Sequence, residues 1–132
     1  MNFLAKIFSQ TNQVKKGILT SADREQVRER WEKIVELENI NKPSTLREAV
    51  IEADKLVDFA LSKLYPQKEK AADRLREAKS DFLNYRQDYE DLWYSHKIRN
   101  ELVHTVGFEL PSTEAKNVLD NFKRALEILG AL

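Results

Sequence analysis

The chain has no cysteine and only two histidines, His96 and His104. The absence of thiols excludes disulfides, thiolate metal ligands and cysteine nucleophiles. Two histidines cannot complete a zinc site without carboxylates, and no His-Glu-x-x-His pattern is present. We therefore predict neither a bound metal nor another cofactor.

Glycine and proline are also scarce, with three of each among 132 residues. Few helix breakers, a charged fraction of 33% and apolar residues at helical spacing predict an all-α protein. A chain of this length suits one domain with a sizeable hydrophobic core.

The chain carries no net charge, because 22 basic residues balance 22 acidic ones. It is no general binder of polyanions, so any contact with nucleic acid needs a local patch or cleft. No apolar run approaches the length of a membrane span, and the start lacks the apolar core of a signal peptide. We expect a cytoplasmic protein without an integral membrane segment.

Apolar spacing predicts an up-and-down bundle of four to five helices over residues 21–132, preceded by an amphipathic segment over residues 1–20. The apolar residues between Phe3 and Phe8 share one side, which fits docking on the bundle or on a second subunit. A membrane-surface anchor is the alternative.

The sequence also predicts where the helices of the bundle begin, end and face the core. The predicted signals are an N-cap at Ser21, a helix with Val27, Trp31, Ile34 and Val35, a capping box at Thr45–Glu48, a core stripe from Leu46 to Leu64, a stop at Tyr65–Pro66, a cap at Ser112, a stripe from Val118 to Leu129 and a final turn at Gly130.

The middle of the chain allows two interpretations. After Pro66, apolar and aromatic residues recur at spacings of four and three from Ala71 to Val103, which taken literally is one heptad seam and one long helix. A helix of that length would outrun a domain of this size, so we predict a break near residues 80–86. Asn84–Gln87 has the spacing of a capping box there, and Ser80–Asp81 is another candidate start.

Residues 92–104 hold both histidines and are predicted to form the second half of a helix. On a helical wheel, His96, Asn100 and His104 share a broad face with apolar residues, and Arg99 lies at its edge. A polar cluster on a packed face needs partners or a function.

Arginine beside histidine, without metal ligands or an acyl-transfer nucleophile, suits metal-independent cleavage of RNA. A histidine can take the proton from a ribose 2′-OH, whose oxygen then attacks the adjacent phosphate. An arginine can hold the extra charge on the phosphorane, and another histidine can protonate the leaving 5′-oxygen. The expected products are a 2′,3′-cyclic phosphate and a 5′-hydroxyl, and DNA is not cut.

Arginine followed by histidine four to six residues later occurs by chance about 0.4 times in such a chain, and requiring asparagine directly after the arginine lowers this to about 0.02. The segment Arg99–His104 resembles the Arg-x(4–6)-His motif of the HEPN superfamily, including the polar residue after the arginine. The lead-in Trp93–Asn100 and the segment Arg47–Leu56 also resemble small bacterial and phage HEPN-like proteins. The resemblance covers about residues 45–130.

The resemblance implies an HEPN-like bundle that dimerises so that two motifs face one cleft. It implies that Arg99 stabilises the phosphorane, that His104 acts as base or acid, and that Asn100 positions phosphate or ribose. His96 lies outside the motif and receives a supporting role, and Lys97 is the nearby cation that could contact the RNA backbone. Many members are toxins paired with a nucleotidyltransferase-type antitoxin, or defence nucleases, whereas others show no cleavage and serve as binding or assembly modules.

Helix geometry favours the homodimer independently, because Arg99 and His104 lie about 140° apart on an ideal helix. Two copies about a twofold axis would bring their patches together around an anion such as an RNA phosphate. The alternative function is a non-catalytic dimeric bundle that binds a protein or nucleotide partner, in which His96 and Asn100 form a structural pair. The aromatic residues near the site could stack bases, but we interpret them as core: Tyr85, Tyr89 and Trp93.

Overall fold

Helices make up the fold over residues 15–132, the part of the chain that the computed structural model describes. We number the α-helices in chain order, with a 3₁₀ helix between the third and the fourth. Their limits are Ser21–Ile40 for α1, Pro43–Leu64 for α2, Ala71–Glu77 for α3, Ala78–Phe82 for the 3₁₀ helix, Arg86–His104 for α4 and Ser112–Ile128 for α5. No strand occurs between residues 15 and 132, so the predicted all-α fold is confirmed.

The helix α2 lies at the centre and packs against the other four α-helices. A two-residue loop joins α1 to α2 and makes them antiparallel neighbours. Arg47, at the start of α2, contacts Leu102 at the end of α4, so these helices also run in opposite directions. Arg124, late in α5, pairs with Asp88, early in α4. The up-and-down bundle is thus confirmed, with the short α3 as an added element.

The core follows the predicted apolar stripes. Every apolar residue predicted for the α2 and α5 stripes is buried, as are Val27, Trp31 and Ile34 of α1. The prediction fails at Val35, which is exposed because α1 packs on only one side.

Two helix starts differ from the sequence signals. Thr20, not Ser21, caps α1, because its hydroxyl accepts from the Asp23 N–H while the Asp23 carboxylate accepts from the Thr20 N–H, each at 3.0 Å. The helix α2 already begins at Pro43, and the Thr45 hydroxyl accepts from the backbone N–H of the preceding loop at 3.1 Å. The capping box at Thr45–Glu48 was therefore wrong, because a proline at the first helical position starts the helix earlier.

The two later helices begin without side-chain caps. Tyr85 and Pro111 occupy the N-cap positions of α4 and α5, so the predicted caps at Asn84–Gln87 and Ser112 were wrong. The end at Gly130 is confirmed: its φ is 77°, and its N–H donates to Glu127 O at 3.0 Å. The N–H of Ala131 donates to Leu126 O at 2.9 Å, which completes a Schellman motif.

The predicted break near residues 80–86 is confirmed, since the 3₁₀ helix and a turn separate α3 from α4. Two tyrosine hydroxyls form hydrogen bonds that hold this connection against α2 and α4. Tyr65, after α2, donates to Asp81, and Tyr89 of α4 donates to Leu75 O at 2.8 Å. Burial and the bond to Asp81 raise the pKa of Tyr65.

Residues 15–20, which we call the strap, cross the end of α2 without regular secondary structure. The Gly17 N–H donates to Leu64 O at 2.7 Å, and a side chain at Gly17 would collide with the carbonyl oxygen of Lys63. Lys16 pairs with Asp81. The amphipathic segment predicted around Phe3–Phe8 lies outside the described residues. Within residues 15–132, no helix is long and apolar enough to cross a membrane.

Candidate functional site

The five predicted site residues lie on the C-terminal half of α4, which packs against α2 and α5. The structure buries His96 and half-buries Arg99 and Asn100. Lys97 and His104 remain exposed. The helix therefore turns part of the predicted site inward, toward α2, and leaves the rest at the surface.

Four side chains close a polar cycle that we call the Asp54 ring: Asp54, His96, Arg99 and Asn100. Asp54 lies on α2 and is only 7% exposed. Its Oδ1 is 2.8 Å from His96 Nδ1, and its Oδ2 is 3.2 Å from Arg99 Nε. Arg99 Nη1 donates to Asn100 Oδ1 at 2.8 Å, and Asn100 Nδ2 lies 3.5 Å from His96 Nε2. Every member of the ring thus touches two others.

The ring assigns the proton of His96. A carboxylate only accepts, so Nδ1 carries the hydrogen that faces Asp54. The other nitrogen, Nε2, is then the acceptor that faces the Asn100 amide group. His96 can act as a base only if Asn100 moves away, so its place in the ring fits the supporting role predicted for it.

Arg99 is the counter-ion of Asp54. Its side chain is 24% exposed, and its Nε is buried, close enough to Asp54 for an ion pair but not aligned for a hydrogen bond. A carboxylate as buried as Asp54 would be costly without a cation. Arg99 forms no hydrogen bond through Nη2 with residues 15–132, which leaves that part of the guanidinium available to a ligand.

His104 is the last residue of α4 and lies apart from the ring. It makes no hydrogen bond or ion pair with residues 15–132 and is exposed. Val103 and Val106 beside it are exposed as well, and Val106 is fully so. Since α4 is a regular helix from Arg99 to His104, the separation of about 140° applies. A single copy of the chain therefore does not direct these two side chains at one point.

Sequence reasoning missed Asp54 as a site residue, although it lies inside the Arg47–Leu56 segment. The available signal was its position, because Asp54 falls between Val50 and Val57 on the buried stripe of α2. A lone acidic residue in such a stripe needs a buried partner. The polar residues on the mixed face of α4 were the candidates for this partner.

A cleft of about 710 Å³ opens between the 3₁₀ helix and α4. We call it the α4 cleft; it is lined by Lys79, Phe82, Leu83, Arg86, Tyr89, Glu90, Trp93, Tyr94 and Lys97. Tyr89 and Trp93, which we interpreted as core, are only half-buried and line this cleft, and Tyr85 is exposed. The core interpretation therefore holds in part for two of these aromatic residues and is wrong for the third.

Tyr94 and Glu114 mark the edge of the cleft toward α5. The Tyr94 hydroxyl donates to Glu114 Oε1 at 2.6 Å, and this hydrogen bond to a carboxylate raises the pKa of Tyr94. The hydrogen bond holds the Tyr94 ring in place, and the Tyr94 hydroxyl stays protonated at neutral pH. Within residues 15–132, no group of three histidine, aspartate or glutamate side chains is placed to hold a metal ion.

Comparison of the chain with protein-family models, with curated proteins and with solved structures gives no match. The resemblance to the HEPN superfamily thus remains a prediction from the quoted motifs.

Proposed function

We propose that the chain is a metal-independent endoribonuclease of the HEPN type that acts as a homodimer on RNA. The observation that carries this proposal is the way Arg99 is held. Asp54 and Asn100 fix its guanidinium at the edge of α4, and the exposed end of the same helix presents His104 without a partner among residues 15–132. A preorganised arginine and an accessible histidine are the two groups that this cleavage requires.

In the proposed reaction, His104 removes the proton from a ribose 2′-OH, and the 2′-oxygen attacks the neighbouring phosphorus. Arg99 stabilises the extra negative charge of the phosphorane through its N–H donors. The bond to the 5′-oxygen breaks, and the partner's His104 returns a proton to that oxygen. Asn100 positions phosphate or ribose, His96 supports the ring, and Lys97 contacts the RNA backbone. The products are a 2′,3′-cyclic phosphate and a 5′-hydroxyl.

The proposed dimer is supported by the surface at the end of α4. Arg99 and His104 of one copy diverge around the helix, whereas a twofold axis near this end would bring two of each together. The exposed Val103 and Val106 give that surface apolar area to bury against a second copy. The resemblance further suggests a nucleotidyltransferase-type antitoxin as a partner that holds cleavage in check.

A second function is favoured by the closure of the Asp54 ring. In this function, the contacts of the ring serve to fix how α2 and α4 pack. In that case, the protein is a non-catalytic dimeric bundle that binds a protein or nucleotide partner. The two functions differ in His104, which the second function leaves without a catalytic role.

The test is to incubate the purified chain in EDTA with labelled single-stranded RNA and with a DNA copy of the same sequence. We expect cleavage of the RNA only, with cyclic-phosphate ends. His104→Ala should lower the rate by about 10²- to 10⁴-fold, because it removes a general acid or base. Arg99→Lys should also lose activity, since lysine keeps the charge beside Asp54 but not the paired N–H donors.

Lys123→Ala, an exposed cation on α5, serves as the matched control and should cut RNA at the wild-type rate. Melting curves should show that His104→Ala folds like the wild-type chain. Cleavage of RNA by His104→Ala at the wild-type rate would show that the site is misassigned. No cleavage by the wild-type chain would favour the binding module.

A further inference from the structure

One face of α4 continues from His104 into the α4 cleft. On a helical wheel, the residues of this face lie within about 60° of one another; they are Arg86, Trp93, Lys97, Asn100 and His104. Because α4 is continuous, they follow the helix axis over about 27 Å at 1.5 Å per residue. The cleft and the proposed catalytic histidine therefore share one straight path along the surface.

The charge of the cleft differs from that of the whole chain. Lys79, Arg86 and Lys97 line it and are exposed, and none of them forms an ion pair with residues 15–132. Glu90 is the single acidic residue among the lining side chains. A chain with no net charge thus concentrates positive charge here, which favours an anionic ligand.

The aromatic rings of the cleft are held in place before any ligand arrives. Tyr94 is 43% exposed and is anchored through its hydroxyl to Glu114. Trp93 meets the His96 ring edge-on, with 6.1 Å between ring centroids and 82° between planes, and the Arg76 guanidinium lies over the Trp93 ring at 5.9 Å from its centroid. Proteins bind single-stranded nucleic acid through aromatic side chains beside cations, because the unpaired bases can stack on the aromatic rings.

We propose that the α4 cleft binds the nucleotides next to the scissile phosphate of single-stranded RNA. The bases stack on Tyr94, and the phosphates contact Lys97, Arg86 and Lys79. This inference rests on the proposed function, in which RNA is the substrate and His104 lies at the reacting phosphate. Stacking and phosphate contacts need no 2′-OH, so strands that cannot be cut should still bind in the cleft.

The test separates binding from cleavage by using a labelled single-stranded oligonucleotide with 2′-O-methyl riboses, which offers no 2′-OH for attack. Fluorescence anisotropy with the full chain measures its affinity at several salt concentrations. Tyr94→Leu should weaken binding about fivefold or more, because it removes a stacking face. Tyr94→Phe keeps the stacking face and loses only the hydrogen bond to Glu114, so its affinity should fall much less than that of Tyr94→Leu.

The charge contacts have their own signature. Lys97→Ala and Arg86→Ala should each make the negative slope of log affinity against log salt shallower by about 0.7, the value for one contact to a single strand. Lys123→Ala, outside the cleft, should leave both affinity and slope unchanged. Cleft variants that all bind like the wild-type chain would overturn the proposal.

The remaining outcomes distinguish this proposal from the proposed function. If the wild-type chain cuts RNA and the cleft variants bind the oligonucleotide normally, the nuclease function is supported and RNA binding in the α4 cleft is refuted. If those variants alter dimerisation or melting but not binding, the cleft is a protein contact and the proposal fails. A wild-type chain that neither binds nor cuts RNA would refute both.

Discussion

Removal of the Asp54 carboxylate should destabilise the fold more than the loss of any other single ion pair described above. In Asp54→Ala, His96 Nδ1 loses its acceptor and Arg99 loses its counter-ion, and both groups are largely enclosed by α2 and α4. Asp54→Asn keeps the volume and one acceptor for His96, but it removes the charge that balances Arg99. The expected order of stability is wild type, then Asn, then Ala.

The burial of the partners sets the magnitude. Breaking one side of a buried ion pair costs about 3–5 kcal/mol, and the partial exposure of Arg99 lets water recover some of it, so we expect about 3 kcal/mol for Asp54→Ala. Asp54→Asn should cost about 1–2 kcal/mol. For 132 residues, the entropy of unfolding is about 0.28 kcal/mol/K, which converts the loss in Asp54→Ala into a fall in Tm of about 10 °C.

The assay is thermal unfolding followed by circular dichroism, with urea titration for the free energy of unfolding. Asp58→Ala is the matched control, because Asp58 lies one turn further along α2, pairs with Arg74 at 2.8 Å and is itself more exposed than Asp54. Its loss should cost about 1–2 kcal/mol, because two N–H groups of Arg74 donate to a carboxylate that water still reaches. If Asp54→Ala melts within about 2 °C of Asp58→Ala, the ring does not stabilise the packing of α2 on α4, and the reasoning is refuted.

Two further predictions concern α1 and its N-cap. Thr20→Ala should lower the free energy of unfolding by about 1 kcal/mol through loss of the N-cap, whereas Thr20→Ser should restore it; equal stability of both variants would contradict the cap. Burial and the nearby Asp120 raise the pKa of Glu38, so its ionised form is less favourable in the folded state than in the unfolded one and lowers stability as the pH rises through that pKa. Solvent screens the half-exposed carboxyl, so Glu38→Gln should stabilise the fold by no more than about 0.5 kcal/mol at pH 7 and lose this gain near pH 3. Urea titrations beside the exposed control Glu36→Gln measure the difference, and a gain that persists at pH 3 would show that charge is not the cause.

The sequence predicted the bundle well because its helices have one buried side and a clear period. The stripe from Leu46 to Leu64 identified α2 as the core helix, and the break near residues 80–86 followed from the size limit of a domain. Helix starts were less predictable, because several residues near each start can serve as caps. The N-cap of α1 is Thr20 and not Ser21, and α2 begins at Pro43 and not after Thr45. Which residue takes the N-cap position depends on the backbone conformation before the helix.

The candidate site was predictable only along α4. The pattern of that helix placed His96, Arg99 and Asn100 on one mixed face, but it could not show which residue would face them from another helix. The pairing of Asp54 with His96 joins residues 42 positions apart and depends on how α2 packs against α4. The α4 cleft was missed for a similar reason, since Lys79 reaches it from the 3₁₀ helix across the break.

The hydrogen bond from Gly17 to Leu64 has a consequence for local opening. The carbonyl of Leu64 lies at the end of α2, where no helical N–H follows to bond it, and the strap supplies its donor from far away in sequence. Detachment of the strap therefore leaves this carbonyl without its donor and should favour fraying of the last turn of α2. The hydrogen-exchange rate of the Gly17 amide reports how often this contact between the strap and the central helix opens.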